Sequence, residues 1–161
     1  MEPITYTPIG IIHSTNKKPE GTPIQFSGAK NSPGEIEIFP EYIEGLADLD
    51  GFSHVILLYH FHLIEKPMLT VKPFMDDCEH GVFATRSPAR PNPIGFSIVR
   101  ITEIRGNLIF IEGVDIVDST PLLDIKPYVP QFDAVTIEKT GWLENNAHKH
   151  TTTKDDGRFL K

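Results

Sequence analysis

Arg86 and Arg90 lie in the stretch Thr85-Arg86-Ser87-Pro88-Ala89-Arg90-Pro91-Asn92-Pro93, where three prolines remove backbone donors and push Ser87, Arg90 and Asn92 toward extended conformations. A guanidinium fork on so stiff a segment meets a carboxylate or phosphate through paired hydrogen bonds at little ordering cost. From Thr85 to Arg105 there are four arginines against one glutamate, a local +3 in a chain of net charge −7. The competing structural reading is a proline-rich connection whose arginines pair with the acidic surface.

A second chemical stretch runs from Glu112 through Asp115, Asp118 and Asp124 to Tyr128. Asp115 and Asp118 flank the apolar pair Ile116-Val117, so at a strand end one carboxylate would face a ligand hydroxyl or positive centre while the other holds the turn. Gly113 would let a flat ligand ring approach the backbone. Alternatively Asp118, Ser119 and Thr120 cap a turn ahead of Pro121 through their own side chains. In a strand, His54, His60 and His62 would share one side, an arrangement that also suits a metal. No cysteine completes a four-ligand set there, so satisfied strand histidines are the preferred reading and no metal is expected. Asp76-Asp77-Cys78-Glu79-His80 reads as solvated loop charge. Gly-x-Gly-x-x-Gly, Gly-x-x-x-x-Gly-Lys and Gly-x-Ser-x-Gly are absent, which argues against dinucleotide, nucleoside triphosphate and serine hydrolase chemistry.

The elements that would carry these residues are short. Ile4, Tyr6, Ile9 and Ile11 form one apolar segment, and Glu35-Ile36-Glu37-Ile38-Phe39 alternates with strand period. Pro40 opens a short helix with Tyr42, Ile43, Leu46 and Leu49 that ends by Gly51. Ser53 to Phe61 suits a strand buried on both faces. Ile94, Phe96 and Ile98 alternate, and the Gly106-Asn107 turn leads into Leu108 to Ile111 as a hairpin. With strands also at Val82 to Thr85, Val114 to Val117 and Ala134 to Lys139, about seven short strands predict a mainly β fold. The expected architecture is a small single-domain β-barrel with one or two short helices, over residues 1–144. The polar tail, residues 145–161, has too little apolar surface to offset its ordering entropy and is expected to be mobile.

Composition narrows the class. Hydrophobic residues make up 39% of 161, enough for a packed core, and 14 prolines exclude long helical bundles. A net charge of −7 disfavours blanket coating of nucleic acid, although a local basic patch is allowed. The single Cys78 forms no intrachain disulfide, Met1-Glu2-Pro3 begins no signal segment, and the apolar run Val55 to Tyr59 is too short to span a bilayer. A cytoplasmic protein without membrane association is expected.

At these residues the chain resembles the TsaA family, also called TrmO, of S-adenosylmethionine-dependent tRNA methyltransferases. The resemblance runs from about Ile4 to Ile137. It is strongest from Gly81 to Gly95, close to the family's Gly-Val-Phe-Ala-Thr-Arg-Ser-Pro-x-Arg-Pro-Asn-Pro-Ile-Gly. Asp115-Ile116-Val117-Asp118-Ser119-Thr120-Pro121 through Asp124-Ile125-Lys126-Pro127-Tyr128 is similar to a second signature. Gly45-Leu46 with Phe52-Ser53-His54 is similar to a third, and the opening Ile9-Gly10-x-Ile12-His13-Ser14 matches too.

The resemblance implies a small β-barrel unlike the usual methyltransferase fold and a homodimer with the donor near the subunit interface. It also implies methylation of the exocyclic N6 of threonylcarbamoyladenosine, beside the anticodon of threonine tRNA. It assigns the S-adenosylmethionine cofactor to Ile24, Gln25, Phe26, His62, Arg86, Phe96, Glu112, Gly113, Val114 and Asp115. The tRNA partner falls to Arg86, Arg90, Asn92, Lys126 and Tyr128, with Arg100 extending the basic loop toward phosphates. Asp118, at the centre of its motif, is the expected acceptor of the N6 proton, with His62 second. Three departures stand out: Ser119 replaces the glycine of an Asp-Gly-Thr-Pro turn, Ile24-Gln25-Phe26 replaces Arg-Gln-Pro, and the extra C-terminal domain of longer bacterial members is expected to be missing. A donor-dependent enzyme with another acceptor, or a non-catalytic module binding S-adenosylmethionine or RNA, are the alternatives.

Overall fold

Alternating apolar residues close into a barrel in the computed structural model, which describes residues 2–160. The strands are β1 (Gly10–Ser14), β2 (Pro33–Ile38), β3 (His54–His60), β4 (Thr70–Val71), β5 (His80–Gly81), β6 (Ile94–Arg105), β7 (Leu108–Glu112) and β8 (Thr120–Pro127). Six of them form a closed antiparallel barrel in the order β1-β2-β7-β6-β3-β8, with β8 returning to β1, while β4 and β5 make a separate two-stranded ribbon. Strand period places every second side chain inside, so Ile12, Ile36, Ile38, Val55, Leu57, Ile109, Ile111 and Leu122 fill the interior.

The β6–β7 hairpin forms around Gly106-Asn107 as the sequence predicts. The Pro40 segment is also present, but as a 3-10 helix from Pro40 to Leu46. Other expectations need correction. The first strand starts only at Gly10. Val82–Ala84 is a 3-10 turn, and neither 114–117 nor 134–139 is a strand. A strand needs a hydrogen-bonded neighbour, and a barrel closed by β8 offers no free edge to further extended segments. β8 itself begins inside the second signature, at Thr120, where a turn around Asp118 to Pro121 was expected.

β3 is not buried on both faces. Val55, Leu57 and Tyr59 point inward, and His54 and His60 lie half-buried on the outer face. His62 falls beyond the strand, where its N–H turns back to the carbonyl of His60. On β6 the parity is the reverse of the hydrophobic reading: Gly95, Ser97 and Val99 face inward, while Ile94 and Phe96 are each 40% exposed on the outer face. The reason is Tyr59, paired opposite Gly95, because a β-carbon at Gly95 would lie 2.1 Å from the Tyr59 ring. Gly95→Ala is therefore expected to destabilise the fold by about 2 to 3 kcal/mol through overpacking. Urea unfolding measures this, and a loss under about 0.5 kcal/mol would mean the ring moves aside freely.

The C-terminal residues lie against the rest of the chain. They form 3-10 turns at Gly141–Leu143 and Ala147–Thr151, and Phe159 enters a small second core with Val71, Val82 and Ala89. The sequence expectation of a mobile end weighed composition, yet docking depends on where one aromatic ring lands. Among the described residues, no helix is long and apolar enough to cross a membrane.

Candidate functional site

At the Tyr59 end of the barrel, residues 19–28, the turn after β3, the proline-rich loop before β6, residues 115–117 and the C-terminal segment surround a cavity of about 840 Å³. That is the size range of small-ligand sites, with apolar walls and few polar groups. Three polar side chains dominate it: Arg86, Asp115 and His62.

Arg86 is carried on the stiff loop. Its Nη1 donates to Gln25 Oε1 at 2.8 Å, and its guanidinium lies 5.7 Å from the Phe96 ring centroid. Phe26 meets Phe96 edge-on at 6.4 Å, so the ring under the arginine is itself held. One hydrogen bond leaves most of the guanidinium fork for a ligand.

Asp115 ends a buried polar chain. Ser97 Oγ donates to Asp115 Oδ1 at 2.6 Å, and since that proton is spent, the Tyr59 hydroxyl at 3.0 Å donates to Ser97. Burial pushes the Asp115 carboxyl up from 3.8 to about 6, with the Ser97 hydrogen bond and the Arg86 charge pulling the other way. Burial, reinforced by the Asp115 charge, also raises Tyr59, which stays a proton donor. His62 is held below its ordinary value, first by burial and then by the neighbouring His60 charge, so it is neutral at pH 7. Thr120 Oγ1 gives its proton to the Val117 carbonyl at 2.6 Å and faces His62 Nδ1 at 3.4 Å. The imidazole therefore carries its proton on Nδ1, leaving Nε2 free to accept.

Residues 11–134 match the family described as tRNA-methyltransferase O N-terminal domain. The chain belongs to the tRNA-methyltransferase O family. It is 58% identical over 157 residues to a Pyrococcus abyssi protein named "Probable S-adenosyl-L-methionine-binding protein", covering 98% of this chain and 85% of that one. It is 35% identical over 163 residues to the Homo sapiens tRNA (adenine(37)-N6)-methyltransferase, covering 94% of this chain and 37% of that protein. The crystal structure of TrmO from Pseudomonas aeruginosa aligns with a TM-score of 0.72 at 36% identity, over 88% of this chain and 63% of that one. This chain thus spans less than two thirds of the human and Pseudomonas proteins.

The family signatures explain which of the expected residues meet. Ile24, Gln25, His62, Arg86, Arg90, Phe96 and Asp115 all line the cavity, and Phe26 braces it from behind Phe96. Glu112, Gly113 and Val114 do not line it. Glu112 pairs with Arg100 at 3.0 Å, Val114 is buried in the barrel core, and both Gly113 and Val114 donate their N–H to Ser32. Gly113 is needed for its φ of 87° in that turn, not for ligand approach.

Asp118 is also absent from the cavity wall. It accepts the Ser14 N–H at 2.9 Å and the Lys17 ammonium at 2.8 Å, and these bonds, Lys17 first, hold its carboxyl below the usual range. Of the two acids flanking Ile116-Val117, Asp115 faces the ligand space and Asp118 holds the turn. Ser119 follows with a φ of 63°, the conformation a glycine would take most easily.

The expected tRNA contacts divide in the same way. Arg90 Nη1 reaches the carbonyls of Val82, Thr85 and Ser87 at 3.2, 2.8 and 3.4 Å, so its donors close its own loop. Asn92 is exposed on that loop outside the cavity, its carbonyl accepting the Ile94 N–H. Lys126, Tyr128 and Arg100 belong to the opposite barrel end, because Val55 pairs with Pro127 and His54 with Arg100. Lys126 is taken up by Asp124 at 2.7 Å. Sequence reasoning missed Tyr59 and Ser97; the small inward residues Gly95 and Ser97, alternating with apolar ones, were the available signal. Among the described residues no three His, Cys, Asp or Glu side chains are grouped to hold a metal ion.

Proposed function

We propose that this protein transfers a methyl group from S-adenosylmethionine to the exocyclic N6 of an adenine in tRNA, as a homodimer. We further propose the threonylcarbamoylated adenosine beside the anticodon of threonine tRNA as the acceptor. One observation carries the reading: a guanidinium on a proline-stiffened loop and a buried, weakly acidic carboxyl share one cavity. The names of the Pyrococcus and human relatives support the donor and the acceptor respectively.

The cavity's residues fit such a donor. Phe96 and Phe61 offer flat apolar walls, the Gln25 amide offers a donor and an acceptor, and Arg86 has a fork suited to an amino-acid carboxylate. When bound, the donor supplies a methyl group already activated by its sulfonium sulfur. The protein's main task is then alignment, and orientation alone supplies roughly 7 to 11 kcal/mol of a barrier. Arg86, backed by Gln25 and Phe96, holds the donor's carboxylate. Asp115, ionised at pH 7 and anchored by Ser97, accepts the proton that N6 loses, and neutral His62 orients the acceptor through Nε2. Asp115 replaces Asp118 in this role because only Asp115 reaches the cavity.

A second reading, a different acceptor, is favoured by the internal engagement of Arg90, Arg100, Arg105 and Arg158, which leaves little basic surface for phosphates. Incubating the protein with S-adenosylmethionine and bulk tRNA, then digesting to nucleosides for mass spectrometry, separates the two. The expected product is threonylcarbamoyladenosine carrying one added methyl group. Unmethylated tRNA, with donor binding intact by calorimetry, would favour the second reading.

A further inference from the structure

We infer that residues 154–160 are a clasp that holds together the two loops carrying Gln25 and Arg86, and so set the width of the cavity. The inference rests on reading that cavity as the donor site. Residues 135–160 lie outside the matched family domain, yet Trp142, His150, Asp155, Phe159 and Leu160 line the cavity.

One end of the clasp is sewn to loop 19–28. Lys154 bridges Pro23, the Asp155 N–H reaches the Thr22 carbonyl at 2.9 Å, and the Gly21 N–H reaches the Asp155 carbonyl at 2.8 Å. The other end grips the segment from Val71 to Ala89. Arg158 Nη1 donates to the Pro73 carbonyl at 3.1 Å and the Lys72 carbonyl at 3.3 Å, and its guanidinium lies 4.8 Å from the Phe74 ring centroid. Asp156 holds that guanidinium in place, with Nη2 to Oδ2 at 2.6 Å. Phe159, 8% exposed, packs with Val71, Val82 and Ala89 and meets Phe74 edge-on at 5.1 Å. Val82 and Ala89 bracket Arg86 in the signature loop.

Among the described residues, the Arg86–Gln25 contact is the only hydrogen bond joining the two loops directly, and it is exposed. A lone exposed bond does not fix a loop pair. The clasp supplies what that bond lacks: main-chain bonds on one side and a buried ring on the other. Its small core is separate from the barrel core, so the clasp can open while the barrel stays folded.

The test uses Phe159→Ala in the whole chain, with Phe159→Leu as the conservative partner and Arg158→Ala, whose side chain does not line the cavity, to separate loss of the clasp from loss of a wall contact and to stand in if the first variant does not fold. If the released loops hold the binding arrangement about a tenth of the time, the Kd for S-adenosylmethionine by calorimetry rises about tenfold. The donor KM rises likewise, kcat at saturating donor stays near that of the unmodified protein, and Phe159→Leu recovers most of the affinity. Without any ligand, hydrogen exchange at the Gly21 amide accelerates while the barrel amides keep their protection. Unchanged exchange at Gly21 overturns the clasp, and so does faster exchange with unaltered donor affinity. If the unmodified protein gives no heat with S-adenosylmethionine, the donor reading fails by itself, and exchange still decides whether the clasp exists.

Discussion

Asp115→Asn is expected to lower methyl transfer roughly 100- to 10,000-fold, the usual worth of a positioned general base, while raising stability at neutral pH. Asparagine keeps an oxygen to accept from Ser97, so the polar chain from Tyr59 is preserved and only the proton acceptor is lost. The stability effect follows from the raised carboxyl. Between 3.8 and about 6, the folded protein keeps a proton on Asp115 that the unfolded chain has released. Stability therefore falls as pH rises through that window, and above it the ionised carboxylate costs up to about 3 kcal/mol. Melting curves from pH 4 to pH 8 should show the variant gaining on the unmodified protein as pH increases, with the smallest difference near pH 4. Methyl transfer by the unmodified protein should rise with pH through about 6. An Asn variant that is active at pH 8, or less stable there, would remove Asp115 from this role.

Arg86→Lys is the second large expected effect. Lysine keeps the positive charge but gives a point donor in place of a planar fork, and it stacks less well over Phe96. The loss should appear as a fall of about 10- to 100-fold in kcat/KM for the donor, corresponding to about 1.4 to 2.7 kcal/mol of transition-state binding. Unfolding free energy should change by less than about 1 kcal/mol, because the Gln25 bond it disturbs is exposed. Parallel steady-state kinetics and urea unfolding check both halves. Near-normal kcat/KM would take Arg86 out of the donor site, and a large stability loss with normal KM would make it a structural brace like Arg90.

Arg90 illustrates why residue type alone misleads. Both arginines sit in the same stiff loop, but Arg90 turns back onto three carbonyls of that loop, adding to the Thr85 bonds on Val82 and supplying a donor to the Thr85 and Ser87 carbonyls. Arg86 points the other way, across to Gln25, sixty-one residues earlier in the chain. Nothing local to the motif distinguishes the two directions.

The sequence by itself determined the properties that depend on neighbours along the chain. These are the short alternating strands, the Gly106-Asn107 hairpin, the helical start at Pro40 and the proline restriction of the arginine loop, because dihedral restriction and strand period act over a few residues. It also brought Arg86 and the 115–118 region forward as chemically charged segments. Only the tertiary structure decided which parity of β6 faces inward, since that depends on a Tyr59 ring arriving from another strand against Gly95. It likewise decided that Asp115 lines the cavity while Asp118 is held by Ser14 and Lys17, and that Phe159 docks the C-terminal segment beneath the Arg86 loop. In each case the deciding energy is a packing or desolvation effect between residues far apart in sequence, which only the folded chain brings together, at barrel closure for Tyr59 and Asp115 and in the separate small core for Phe159.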